Sequence, residues 1–251
     1  MSNPFFKTKA LVLREVKYKE SDRILTLLSE DRGKITAKAR GALGKSGKLA
    51  NPTQVLMYSD FELLERNGML TVNEASVIEG FDTLRVDISA LSLGCYLAEV
   101  TEAVIAEAMP EKEILQLILN SLYATDRNLY SQRHIKAAFE LRLSSILGYA
   151  PDLDKCAVCG NPDPENPTLG IDTGHLCCRQ CRNAEIGITD YLTPEALSSM
   201  RYIIKAPPKS IFSYPDSNDK LLFNACEDFM LTHVSRGFKT LSYYKQFASF
   251  D

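Results

Sequence analysis

Along residues 6–80 the apolar positions come in short runs broken by charges, whereas from residue 87 onward they recur at helical spacing. Runs at 8–16, 23–29 and 34–39 read as strands. In the third, Lys34, Thr36 and Lys38 alternate with Ile35, Ala37 and Ala39, so the two sets take opposite faces. Glu30-Asp31-Arg32-Gly33 is a turn that ends the second run. Further apolar stretches lie at 55–58, 60–65 and 69–75, and Arg66-Asn67-Gly68 between the last two is a hairpin signal. Five or so short strands in this space predict a small closed barrel, and the expected type is an OB-fold.

The helical part starts with 87–109 and 111–123, separated at Pro110. Leu91, Leu93, Leu97, Val100 and Val104 wrap much of the first helix, which places it inside a bundle. A third helix, 131–149, carries Ile135, Phe139, Arg142, Leu143 and Ile146 along one side. Thr193-Pro194-Glu195 supplies an N-cap, a first-turn proline and an acid, so a helix begins there, and another runs over 218–234. Residues 151–187 show no period and are rich in Pro, Asp and Gly. The expected fold class is α+β and multidomain: an OB-fold barrel over 1–80, a helical domain in two parts (81–150 and 188–251), and an inserted module at 151–187.

Cysteine spacing changes that picture most. Cys156-Ala157-Val158-Cys159 and Cys178-Arg179-Gln180-Cys181 are two C-x2-C pairs eighteen residues apart. Two such knuckles bring four sulfurs to one tetrahedron, the arrangement of a closed structural Zn2+ site. A disulfide framework and coincidental core cysteines are the competing readings. Within the motif Cys177 could replace Cys178, and His175 is a possible substitute ligand. With all four positions filled by protein, no position is open for water or substrate. Such a segment is too polar to fold without its metal. Cys95 and Cys226 sit in apolar helical stretches and read as ordinary buried thiols.

Charge adds a second candidate. The net charge of −3 divides into +3 over residues 1–80, with 13 Lys/Arg against 10 Asp/Glu, and −6 over the remainder. From Arg32 to Lys48 there are six cations and no acid. Lys34, Lys38, Arg40, Lys45 and Lys48 are the candidate phosphate contacts, the last two on a Gly-rich stretch expected to be a mobile loop. A Lys-lined barrel strand continued by a basic loop is how OB-folds track a nucleic-acid backbone; a solvated barrel face is the plainer reading. Phe5, Phe6 and Tyr18 could stack on bases, but buried aromatics are the default reading. Gly44-Lys45-Ser46 resembles the end of a phosphate-binding loop, but position 39, where the first glycine belongs, is Ala39. The three histidines are scattered and no nucleophile, zinc-protease or dinucleotide motif is present, so an enzyme is not expected. The odd number of cysteines and the lack of a signal-peptide core point to a reducing cytosol.

The order of parts resembles the RecO family of bacterial recombination mediators. The resemblance rests on residues 10–34, which read ALVLREVKYKESDRILTLLSEDRGK, continuing through Ala39-Arg40-Gly41. It is supported by Leu147-Gly148-Tyr149-Ala150-Pro151 before the first cysteine pair and by the segment 239–247. Thr173-Gly174, where the family often has a glycine pair, and the extra Cys177 depart from the pattern. The resemblance implies a cytoplasmic, nucleoid-associated protein that binds single- and double-stranded DNA and anneals complementary strands. It further implies that, with RecR, the protein helps RecA replace the single-strand binding protein SSB. It also implies a helical-domain site for the acidic, apolar SSB tail, for which Arg133, Lys136 and Arg142 are the candidate cations. Two alternatives stay open: another zinc-containing OB module acting on RNA or in transcription, and an adaptor whose basic loop meets an acidic partner.

Overall fold

The N-terminal strands are β1 (Phe5–Tyr18), β2 (Asp22–Ser29), β3 (Gly33–Ala39), β4 (Tyr58–Arg66) and β5 (Met69–Glu79), closed into a barrel in the order β1-β2-β3-β5-β4. The description rests on a computed structural model and covers residues 5–44, 47–109, 111–182, 187–215 and 219–248. β1 is long enough to serve two neighbours, pairing with β4 over 5–11 and with β2 over 10–18, with a register shift between Val12 and Arg14. The pairings are antiparallel except that of β3 with β5, which is parallel at Ala37↔Leu70 and Lys38↔Thr71. This is the OB-type barrel expected from the strand pattern. Ile35, Ala37 and Ala39 enter a core with Val12, Leu25, Leu27, Phe61 and Leu63. Lys34, Thr36 and Lys38 take the outer face.

The stretch 55–58 does not make a strand of its own. Leu56 has φ 65 within a turn, its N–H donates to the Val12 carbonyl at 2.8 Å, and only Tyr58 joins β4. Bonding to β1 on both sides of this bend (the Val12 N–H donates to Met57) consumes the groups a separate strand would need.

The helices are α1 (Asp82–Val86), α2 (Ile88–Val104), α3 (Lys112–Asp126), α4 (Gln132–Ile146), α5 (Pro194–Lys205), α6 (Lys220–Val234) and α7 (Lys239–Phe247). Ser131 and Thr193 cap α4 and α5 through bonds from the His134 and Ala196 N–H groups. α2 stops short of the expected 109, because 107–108 strap across β3: Glu107 bridges Lys34, and the Ala108 N–H donates to the Lys34 carbonyl. α1 and α7 lie outside the expected helices. Three short strands, β6 (Pro167–Gly170), β7 (Leu176–Cys178) and β8 (Thr189–Tyr191), form a sheet in the order β7-β6-β8. No helix among the described residues is long and apolar enough to cross a membrane.

By packing the chain falls into two compact units, Met1–Asp126 with Phe238–Asp251, and Arg127–Gly237. The lines drawn from sequence at 80, 150 and 187 fall inside these units. In the first, α2 packs on β1, α1, α3 and α7. Tyr96 of α2 meets Phe238 edge-on at 6.1 Å, and the Glu99 carboxylate accepts the Thr240 N–H at 3.1 Å. That carboxylate sits at the positive end of α7, whose own N-cap, Phe238, offers no side-chain bond. In the second unit α4 packs on α5 and α6, and α6 on β8. The buried His134 there is stacked on Tyr214 at 3.7 Å and meets the Phe212 carbonyl through Nε2 at 2.8 Å, a structural role.

Candidate metal centre and nucleic-acid interface

The Sγ atoms of Cys156, Cys159, Cys178 and Cys181 all lie within 4.8 Å of one another. Each knuckle is a tight turn: the Gly160 N–H donates to the Cys156 carbonyl, and the Cys181 N–H to that of Cys178. Gly160, at the first knuckle, carries φ 74, and Gly174, in the turn between β6 and β7, φ 71, a region costly to a residue with a Cβ. The choice left open between neighbouring cysteines is resolved for Cys178. Cys177, also on β7, is buried but stands outside the four, and His175 is exposed. All seven cysteines are free thiols, so no disulfide framework exists here.

Burial raises the Cys156 thiol, but N–H groups of Cys159, Cys178 and Val158 outweigh it and hold the group at about 6. Cys178 is pushed up to about 12 by burial and by the thiols of Cys159 and Cys156. Cys181 is pushed up to about 11, chiefly by its bond to Cys159. Thiols this close cannot all ionise on their own; a cation bound at the centre of the four removes that penalty. The donor set therefore fits a structural metal ion. Cys226 is fully buried and pushed well above the thiol range by burial, and burial also raises the half-buried Cys95, which keeps both in the thiol form.

The barrel cations divide into two groups. Lys34 lies against α2, its ammonium donating to the Glu102 carbonyl at 3.2 Å. The Glu102 carboxylate reaches Arg14 at 3.0 Å and Thr26 at 3.4 Å, so α2 covers this part of the outer face. Lys34 and Lys38 share the outer face as their alternation requires, with Lys34 engaged there by α2. Lys38 keeps 16% of its side chain exposed, 2.9 Å from Asp22 and with its ammonium 4.9 Å from the centroid of the Tyr18 ring. Arg40 and Lys48 are exposed, and Lys45 lies outside the described residues.

Strand pairing adds cations that the sequence reading missed. Lys17 opposes Arg23, which opposes Ala39; Val16 opposes Ile24, which opposes Lys38. The β1–β2 hairpin, with exposed Lys17 and Lys19, therefore stands beside the end of β3 that leads to Arg40. The only sequence signal was that β1 and β2 are contiguous across Lys19-Glu20-Ser21. Residues 41–44, expected to be mobile, are successive turns laced to this hairpin. The Gly41 N–H donates to Asp22 at 2.9 Å, the Leu43 N–H donates to the Ser21 carbonyl at 2.9 Å, and Ala42 is buried in the barrel core. The aromatic default also fails in part. Tyr18 is 42% exposed and Phe5 38%, while half-buried Phe6 lies under the Arg32 guanidinium at 3.6 Å.

The three cations named on α4 are committed differently. Lys136 is buried, 2.8 Å from Glu140 and 2.7 Å from Glu227, and so does not edge a surface groove. Arg142 donates to the Ile203 carbonyl at 3.3 Å and also to that of Ile204, closing the C-terminal turn of α5. Arg133 is half-buried.

A closed OB-type barrel with a cation-rich end, followed by helices and a four-thiol centre, defines the class: barrel proteins carrying a four-cysteine module fit to hold a metal ion. Comparison then places the chain in one family. The description "Recombination protein O N terminal" matches residues 1–81 and "Recombination protein O C terminal" matches 85–242, so the chain belongs to the RecO family. It is 32% identical over 243 residues to the "DNA repair protein RecO" of Acetivibrio thermocellus, covering 96% of each chain. It is 30% identical over 215 residues to that of Heliobacterium modesticaldum, covering 82% of this chain and 76% of the relative. The protein of the same name from Caldanaerobacter subterraneus subsp. tengcongensis is 26% identical over 243 residues, covering 94% and 96%.

Proposed function

We propose that this protein acts in DNA repair by binding single- and double-stranded DNA through the hairpin end of its barrel and annealing complementary strands. With RecR it then helps RecA displace SSB. The observation that carries the reading is the gathering of Lys17, Lys19, Lys38 and Arg40 around one end of an OB-type barrel, with exposed Lys48 on the chain that follows β3. Family membership and the DNA-repair names of the relatives support it. Contacts to phosphate are blind to sequence and leave base edges free, which suits annealing. Neutralising one strand lowers the repulsion met by the second. The action is non-covalent and needs no catalytic group. The four-thiol centre holds a Zn2+ ion that orders its module and takes no part in DNA chemistry. The SSB-tail site remains a proposal for the second unit, with Arg133 and Arg142 as its candidate cations and Lys136 set aside by its burial. The protein acts in the cytoplasm, at the nucleoid.

The test is annealing of two complementary fluorescent oligonucleotides, bare and coated with SSB, across a salt series. Faster annealing that persists on coated strands and fades with salt is expected. Folded, metal-replete protein that fails at low salt would overturn the reading. Replacing Lys38, Arg40 and Lys48 together with Ala should lower the slope of log Kd against log salt by about 2 on single strands, since each phosphate contact adds about 0.7. An unchanged slope would move the interface elsewhere.

A further inference from the structure

The outer surface of the barrel offers DNA one feature that charge does not explain. Tyr18 closes β1 with 42% of its surface exposed, though an aromatic ring gains most by burial. It opposes Asp22 across the hairpin, and two ammonium groups stand near its ring, Lys38 at 4.9 Å and Lys19 at 5.5 Å from the centroid. Asp22 fixes the surroundings: one oxygen takes the Gly41 N–H and the Ser21 hydroxyl, and the other holds Lys38. The ring is thus held at the junction of the hairpin and the basic turns. Exposed Val16 stands two residues before it on the same strand face.

We infer that Tyr18 is a stacking platform for one unpaired base, with Lys19 and Lys38 taking the flanking phosphates. This rests on the DNA-binding reading above and adds to it a source of preference for single strands. Base stacking on an aromatic ring tolerates any sequence because every base has a π face. A paired base has both faces occupied by its neighbours and cannot use the ring without leaving the stack. Phosphates that recruit Lys38 compete with Asp22 for its ammonium, so binding loosens the tie at one point while the Gly41 bond can persist. Phe6, by contrast, is half-buried and lies under the Arg32 guanidinium at 3.6 Å, closer than either ammonium stands to the Tyr18 ring.

The experiment compares wild type, Tyr18→Ala and Tyr18→Phe for affinity to an oligothymidylate, to the same strand with abasic sites, and to a blunt duplex, at several salt concentrations. The expected result is about tenfold weaker binding of the oligothymidylate by Tyr18→Ala, with Tyr18→Phe close to wild type. Duplex affinity and the salt slope should not move, because no charge is removed. Wild type should bind the abasic strand as weakly as Tyr18→Ala binds the thymidylate. Equal losses on single strand and duplex, or no loss on either, would overturn the stacking role while leaving the DNA-binding reading intact. Absence of salt-dependent binding by wild type to any of the three would overturn that reading, and this inference with it.

Discussion

Asp22 is an acid placed where every neighbour is a donor. The Gly41 N–H and then the Lys38 ammonium hold its carboxyl at about 2, against an ordinary value of 3.8. A group whose folded value is depressed contributes stability above its unfolded value and loses it as pH falls through the folded one. Asp22→Asn should therefore melt below wild type near neutrality, with the gap narrowing as pH falls from 3.8 toward about 2; a gap independent of pH, followed by circular dichroism, would contradict this. Gly33 makes a sharper case. Its φ is 62, and a Cβ built there would stand 1.8 Å from the Met109 carbonyl oxygen. Gly33→Ala should cost at least about 1–2 kcal/mol from the left-handed backbone alone, read by urea denaturation. The turn at Gly33 was legible because its signal is local. The role of Asp22 was not, because Lys38 and Gly41 are distant in sequence and reach it only through the β2–β3 pairing.

Between elements, one buried cation joins two helices. Burial alone would lower Lys136, but Glu140 on α4 and Glu227 on α6 outweigh it and raise its ammonium above the ordinary 10.5. The sign follows: this contribution is complete below the unfolded lysine value and is lost only as pH rises past the folded one. Lys136→Ala leaves two acids facing a vacated site and should destabilise the second unit by about 3–5 kcal/mol in chemical denaturation. The sequence reading grouped Lys136 with Arg133 and Arg142 as candidate cations for an SSB-tail site, because charged residues on helices are usually solvated; only the partner helix reveals otherwise. The cysteine knuckles were readable for the opposite reason, since a metal module writes its ligands as fixed local spacings. Chelation should strip one metal ion per chain and remove hydrogen-exchange protection over β6–β8, leaving the barrel protected. Cys178→Ser should reproduce that loss, whereas Cys177→Ser should retain the metal, measured by elemental analysis.

At the scale of the whole molecule, the change of period near residue 85 marked the end of the barrel but not the limits of packing. The first unit takes its helices from both sides of the second, so that Thr240 bonds Glu99 across 141 residues. No window of sequence carries that relation, and a segment as short as α7 shows its purpose only when α2 is present to receive it. A chain ended after Gly237 should keep the barrel fold but lose protection along α2, where Tyr96 would face water, as limited proteolysis can show. The same arrangement sets an order of events during synthesis. The barrel's strand pairings all lie within residues 5–79 and can form early. The part of α2 that faces α7 must wait, while more than a hundred further residues are translated, before its cover arrives. During that interval the nascent chain carries a folded barrel beside a partly uncovered helix, the state in which a chaperone has most to offer it.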